Sequence, residues 1–138
     1  MTINEIQDEL IEDFAFYEDW MEKYEYIIQL GKELPLIDEA YKQDEYIIKG
    51  CQSKVWLKPD VDQGKVNFTA DSDAVITKGL VSLMVKVLSG HTAKEIADAD
   101  LYFIDQIGLK EHLSPTRANG LLSMVKQMKL YAIAWQMK

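Results

Sequence analysis

A single cysteine, Cys51, is all the thiol chemistry available in 138 residues, and that scarcity removes several roles at once. One cysteine cannot close an internal disulfide, cannot form a cysteine-only metal cage, and cannot ligate an iron-sulfur cluster as a scaffold would. Histidine is nearly as rare. With only His91 and His112 present, a metal site would have to lean on carboxylates, and none is expected. Clustered Lys and Arg are missing: Arg117 is the only arginine, and the formal charge of -8 with a pI near 4.7 argues against binding nucleic acid or an anionic membrane. No apolar run is long enough to span a bilayer, since the richest one, Ala74 to Leu88, is interrupted by Lys78 and Lys86. The opening residues Met1-Thr2-Ile3-Asn4-Glu5 lack the basic region and apolar run of a secretory signal, so a cytoplasmic location is expected. The acceptor spacing Asn67-Phe68-Thr69 then has no consequence for glycosylation. Repeats and low-complexity linkers are also absent. The length fits one domain, residues 1–138, large enough for its own core and too small for a large cofactor enzyme.

What is present is unevenly charged. Residues 1–45 hold fourteen Asp or Glu against three Lys, whereas residues 110–138 hold one Glu against four Lys and Arg117. The acidic third reads either as a solvated helix pair or as a docking face for a basic partner.

Helix and strand signals alternate along the chain. Thr2 and Glu5 have capping-box spacing, with Ile3, Ile6, Leu10, Phe14 and Tyr17 following at helical intervals. Asp19 and Glu22 open a second helix, which Gly31 and Pro35 end. Tyr46-Ile47-Ile48, Val55 to Lys58 and Lys65 to Ala70 predict three short antiparallel strands, with a turn cluster from Pro59 to Gly64. Asp71-Ser72-Asp73 is expected to cap a mostly apolar helix whose thin polar stripe is Lys78, Ser82, Lys86 and Ser89. Thr92 and Glu95 mark another capping box, and Ser114-Pro115 starts a last helix along one face of which Leu121, Val125, Met128, Ala132 and Trp135 recur. Trp56, Met84, Met124 and Met128 are assigned to the core. The expected class is α+β, a small three-stranded antiparallel sheet flanked by helices.

Cys51 follows Lys49-Gly50 and precedes Gln52-Ser53, the composition of a turn tip. A free cysteine is often just a small buried hydrophobe. This one does not interrupt an apolar run, and its setting points to a working thiol.

Three ordered motifs now carry a resemblance: Gly50-Cys51-Gln52-Ser53-Lys54-Val55-Trp56; Asp71-Ser72-Asp73-Ala74 leading into Lys78-Gly79-Leu80; and His112-Leu113-Ser114-Pro115-Thr116-Arg117 with Asn119-Gly120-Leu121. Together they resemble the SufE family of sulfur-acceptor proteins, which includes the related CsdE. The resemblance implies a SufE/IscU-like fold and a chain that takes persulfide sulfur onto Cys51 from a cysteine desulfurase (SufS- or CsdA-like). It also implies that the chain stimulates that enzyme and passes the sulfur to an iron-sulfur scaffold complex containing SufB. Pyridoxal phosphate would belong to the desulfurase, and no cofactor to this chain. A lone cysteine suits a carrier, because a neighbouring thiol would resolve the persulfide.

Gly50, Gln52, Ser53, Asp73, His112 and Arg117 are the residues expected to support the loop, with Asp73 and Arg117 pairing beneath it or Arg117 steadying a thiolate. Each has a plainer reading. Arg117 would also serve as a surface ion pair, His112 as a histidine bonded to backbone, and Gln52 and Ser53 as loop-closing side chains. A stand-alone thiol enzyme, rhodanese-like or a thiol peroxidase, is the competing function. A rhodanese-type loop would carry more glycine or arginine than Gly50-Cys51-Gln52-Ser53 does, and a plain interaction module would survive loss of Cys51. Oligomeric state is left open, a homodimer included.

Overall fold

Capping decides where the first helices begin. In the computed structural model, which describes residues 1–137, the Thr2 hydroxyl accepts the Glu5 N–H at 3.1 Å and the Glu5 carboxylate accepts the Thr2 N–H at 3.0 Å. Helix α1 (Ile3–Ala15) runs from that reciprocal pair. Asp19 accepts the Glu22 N–H at 2.9 Å and opens α2 (Trp20–Gly31). One fully buried polar side chain on α1 is also fully employed: Gln7 donates to Asp100 O and accepts from Phe103 N–H, each at 3.1 Å.

Strands β1 (Val55–Asp62) and β2 (Lys65–Ser72) form an antiparallel hairpin in which Val55 faces Ser72 and Asp62 faces Lys65. A two-residue strand, β3 (His91–Thr92), pairs with Lys65 and Val66 on the far side of β2, giving the order β1-β2-β3. Three expectations are corrected here. Tyr46-Ile47-Ile48 is not a strand, since Asp44–Tyr46 is a 3-10 turn and Ile47 alone bridges Trp56. The third strand comes instead from His91-Thr92, too short and too polar to show as a strand in sequence. Nor does Pro59 end β1. It stands opposite Phe68, whose N–H turns away from β1 to the Ser89 Oγ at 2.9 Å. The Pro59–Phe68 pair is therefore a non-hydrogen-bonded one on an edge strand, where a missing proline N–H costs no ladder bond.

Helix α3 (Val75–Leu88) is the centre of the core, with ten buried residues, and lies against β2 on one side and α2 on another. The expected acidic cap is not formed. Ala74 occupies the N-cap without a side-chain bond, because Asp71 is engaged by Lys42 at 2.8 Å and Lys78 at 3.3 Å, and Asp73 turns back toward Lys54. Two members of the polar stripe serve backbone: Ser82 donates to Leu30 O at 2.7 Å, and Ser89 accepts from Phe68. The α2–α3 crossing depends on glycine. A β-carbon on Gly31 would lie 3.1 Å from Gly79 N, and one on Gly79 would run into the Ile27 carbonyl.

The remaining helices are α4 (Ala93–Asp98), α5 (Phe103–Ile107), α6 (Leu109–His112) and α7 (Pro115–Gln136). Thr92 and Glu95 form the capping box of α4, and Ser114 caps α7 with Pro115 at its first position. On α7 the buried stripe is Gly120, Leu121, Met124, Met128 and Ala132, while Trp135 is 40% exposed. Trp56 is likewise outside the core: Val55 and Leu57 are buried, so alternation puts Trp56 on the other face of the sheet, half-buried beneath the Lys42 ammonium at 5.3 Å. Among the described residues no helix is long and apolar enough to cross a membrane.

Candidate functional site

Residues 49–54 form a loop with a tied neck. Ile48 N–H donates to Val55 O at 2.9 Å, and the Ile47–Trp56 bridge lies just outside. At the exit, Asp73 accepts the Lys54 N–H at 3.1 Å and donates its own N–H to Lys54 O at 3.3 Å, while the Ser72 hydroxyl donates to the same carbonyl at 2.9 Å. The top of the loop rests on α7. Gly50 has φ 96°, and a β-carbon there would collide with the Ser123 Oγ, so both conformation and proximity require glycine. One residue on, the Cys51 thiol donates to Gly120 O at 3.5 Å.

This arrangement turns the sulfur inward. Lys49, Gly50, Gln52 and Lys54 are exposed while Cys51 is half-buried, facing a cavity of about 240 Å³. That volume lies below the range of roughly 300–1,000 Å³ typical of organic ligand sites. A sulfur atom and a few waters fit. Leu80 and Met124 supply apolar wall, and the polar side chains facing the cavity are the hydroxyls of Ser53, Thr77, Ser114 and Thr116, the Gln52 amide and the Arg117 guanidinium. Among the described residues no carboxylate lines it. Burial pushes the Cys51 thiol above its ordinary pKa, so at neutral pH the resting sulfur is protonated and donates to Gly120.

The structure brings Gly50, Cys51, Gln52, Ser53 and Arg117 together at this cavity and separates two other expected residues from it. Asp73 and Arg117 do not pair. Asp73 is committed to the Lys54 N–H at the loop exit, while Arg117, on the first turn of α7, faces the cavity with no ion-pair partner among the described residues. His112 does not line the cavity either. Its ring stacks on Trp20 at 4.1 Å with 15° between planes, its Nδ1 lies 3.0 Å from Gly108 O, and its carbonyl accepts from the Tyr24 hydroxyl. It ties α6 to α2, and the apolar face of an indole is what holds it there. Thr77, Thr116, Gly120 and Ser123 were missed as site residues. Thr77 left a faint signal, as a hydroxyl in an otherwise apolar run, and Gly120 lies within a quoted motif. Among the described residues no group of three or more His, Cys, Asp or Glu is placed to hold a metal ion.

Comparison with known proteins sets this geometry in a family. Residues 8–132 match the SufE family, described as an Fe-S metabolism associated domain. An uncharacterized SufE-like protein of Rhizobium meliloti is 42% identical over 127 residues, covering 88% of this chain and 91% of that protein. A second, from Synechocystis, is 38% identical over 128 residues, covering 93% and 80%. A SufE-like protein 1 of Arabidopsis thaliana, described as chloroplastic/mitochondrial, is 39% identical over 131 residues, or 94% of this chain and 35% of that one. The solution structure of a hypothetical protein from Thermus thermophilus shares the fold, with a TM-score of 0.80 at 17% identity over 96% of this chain and 97% of that one. With the family match spanning most of its length and relatives near 40% identity, this chain belongs to the SufE family.

Proposed function

We propose that this chain is a sulfur carrier: Cys51 takes the outer sulfur of a persulfide on a SufS- or CsdA-like cysteine desulfurase and passes it to a SufB-containing iron-sulfur scaffold. One observation carries the reading. The only thiol of a SufE-family chain sits in a loop tied at both ends, over a cavity whose polar lining holds no carboxylate. In the transfer, the Cys51 thiolate attacks the outer sulfur of the donor persulfide; a new S–S bond forms on Cys51, the donor's S–S bond breaks, and the donor cysteine leaves as a thiolate. The moving sulfur keeps its oxidation state, so no external oxidant is needed. The chemistry assigned to this chain uses no cofactor of its own, and pyridoxal phosphate stays with the desulfurase. Clearing the donor cysteine frees the enzyme for its next turnover, which is how the carrier stimulates it. Because burial keeps the resting thiol protonated, attack requires the loop to present Cys51 to the partner, a guard against sulfur transfer to stray reagents.

The test is intact and peptide mass after incubation with the cognate desulfurase and L-cysteine. An added sulfur on the Cys51 peptide is expected, and Cys51→Ser should abolish both that mass and the stimulation while leaving the fold unchanged. A desulfurase that turns over without ever loading Cys51 would overturn the reading. So would catalytic turnover of thiosulfate and cyanide by the chain alone, which would make it a stand-alone sulfurtransferase.

A further inference from the structure

The Cys51 cavity contains a hydroxyl that the fold itself does not use. Thr77, on the first turn of α3, is 8% exposed and lines the cavity. Several hydroxyls elsewhere in the fold are employed by it: Ser82 donates to Leu30 O, Ser72 to Lys54 O and Ser123 to Asn119 O, and the Ser89 hydroxyl accepts from Phe68. The Thr77 hydroxyl has no hydrogen-bond partner among the described residues. No fully enclosed polar side-chain atom among the described residues lacks a partner, so this hydroxyl is not sealed off, and the residue that carries it lines the cavity. Of the other donors that line the same space, Gln52, Ser114, Thr116 and Arg117 are exposed and Ser53 is half-buried, so water reaches them more readily. Thr77 is the one buried side-chain hydroxyl among them.

The Cys51 thiol is already bonded to Gly120 O, so Thr77 is not needed by the resting sulfur. A persulfide changes that. It adds one sulfur at roughly 2 Å from Sγ, and that outer sulfur carries the negative charge and cannot donate to a carbonyl as the S–H does. It needs a donor, and the cavity has room for it at about 240 Å³.

We propose that the Thr77 hydroxyl is a positioning donor for the outer sulfur of a Cys51 persulfide, holding it inside the cavity when the loop is closed. The inference rests on the carrier reading and adds a residue to it. Thr77 then governs how long the loaded sulfur survives, and leaves the reactivity of the empty thiol alone.

The experiment loads the purified chain with inorganic polysulfide, removes the excess, and follows thiocyanate released by cyanide, which takes the outer sulfur and leaves the Cys51 thiolate. Thr77→Val keeps the side-chain shape and deletes the hydroxyl; Thr77→Ser keeps the hydroxyl. Thr77→Val should lose its sulfur about tenfold faster than wild type, the ratio that corresponds to one hydrogen bond to an anion. Thr77→Ser should restore most of the lifetime, and iodoacetamide should alkylate the unloaded thiol at the same rate in all three. Equal persulfide lifetimes in wild type and Thr77→Val, as expected if the hydroxyl only binds water, would overturn the inference while the carrier reading stands. An equal acceleration of alkylation and sulfur loss would also overturn it, by showing loosened packing instead. Failure of wild type to accept any sulfur on Cys51 would overturn both.

Discussion

Two close approaches in this molecule depend on glycine, and they are built to opposite ends. Where α2 crosses α3, Gly31 and Gly79 let two backbones touch, the Ile27 side chain packs against Gly79, and the nearby Ser82 hydroxyl is bonded to Leu30 O. Where the Cys51 loop meets α7, Gly50 and Gly120 allow a similar approach, but the seam is a weak sulfur bond and the nearby cavity keeps hydroxyls and a guanidinium in reserve. The first contact is close and its hydroxyl is satisfied, which is what holds a fold together. The second is left under-satisfied, which suits a segment that must let go and bind something else.

Breaking the first contact should have the largest effect. Gly79→Val drives a β-carbon into the Ile27 carbonyl, a backbone atom that cannot swing aside, and should cost about 3 kcal/mol or more in denaturant unfolding. A midpoint close to wild type would mean that the α2–α3 seam is looser than its geometry. Gly50→Ala should cost less, about 1–2 kcal/mol, because its obstacle is the Ser123 hydroxyl, which can rotate, and the rest is the price of a positive φ. Adding Ser123→Ala should recover the collision and leave the conformational part. Full recovery by the double variant would show that φ costs nothing here.

The comparison sharpens with pH. Burial raises the native pKa of Cys51 above that of the unfolded chain, so its contribution to stability is full below the unfolded thiol's pKa, about 8.5, and is lost as pH rises through the higher native value. Iodoacetamide alkylation of the native chain should show its midpoint at higher pH than the urea-unfolded chain, and Cys51→Ser should flatten that alkaline slope. Coincident midpoints would place the resting thiol in water. The smallest effect concerns Asp73 and Arg117. Asp73→Ala should cost less than about 1 kcal/mol and speed amide exchange at Lys54, Arg117→Ala should change stability by no more than about 0.5 kcal/mol, and the double variant should be additive. A coupling energy well above zero would restore the pair that the structure separates.

Much of the fold was legible because its signals are local. The boxes at Thr2 and Thr92, the caps at Asp19 and Ser114 and the buried faces of α1 and α3 all follow from residues within one or two helical turns. The errors fell where a distant partner decides. His91-Thr92 becomes a strand only because β2 has a free edge there, and Asp71-Ser72-Asp73 fails as a cap because Lys42, Lys78 and Lys54 claim its groups first. Pro59 reads as a breaker until Phe68 opposite it is seen to bond elsewhere.

The site divides the same way. Residue identity and order alone determined that there is one nucleophilic sulfur, that a glycine-led turn carries it, and that no metal-ligating set of cysteines exists, since these are statements about composition and neighbours. Only the tertiary structure decided that Cys51 faces inward onto Gly120, that Arg117 joins it while His112 is held by Trp20, and that Thr77, twenty-six positions along the chain, is buried in the wall of the same cavity. Orientation and burial arise from α3, α7 and the loop packing against one another, and no stretch of sequence short enough to read by pattern contains all three.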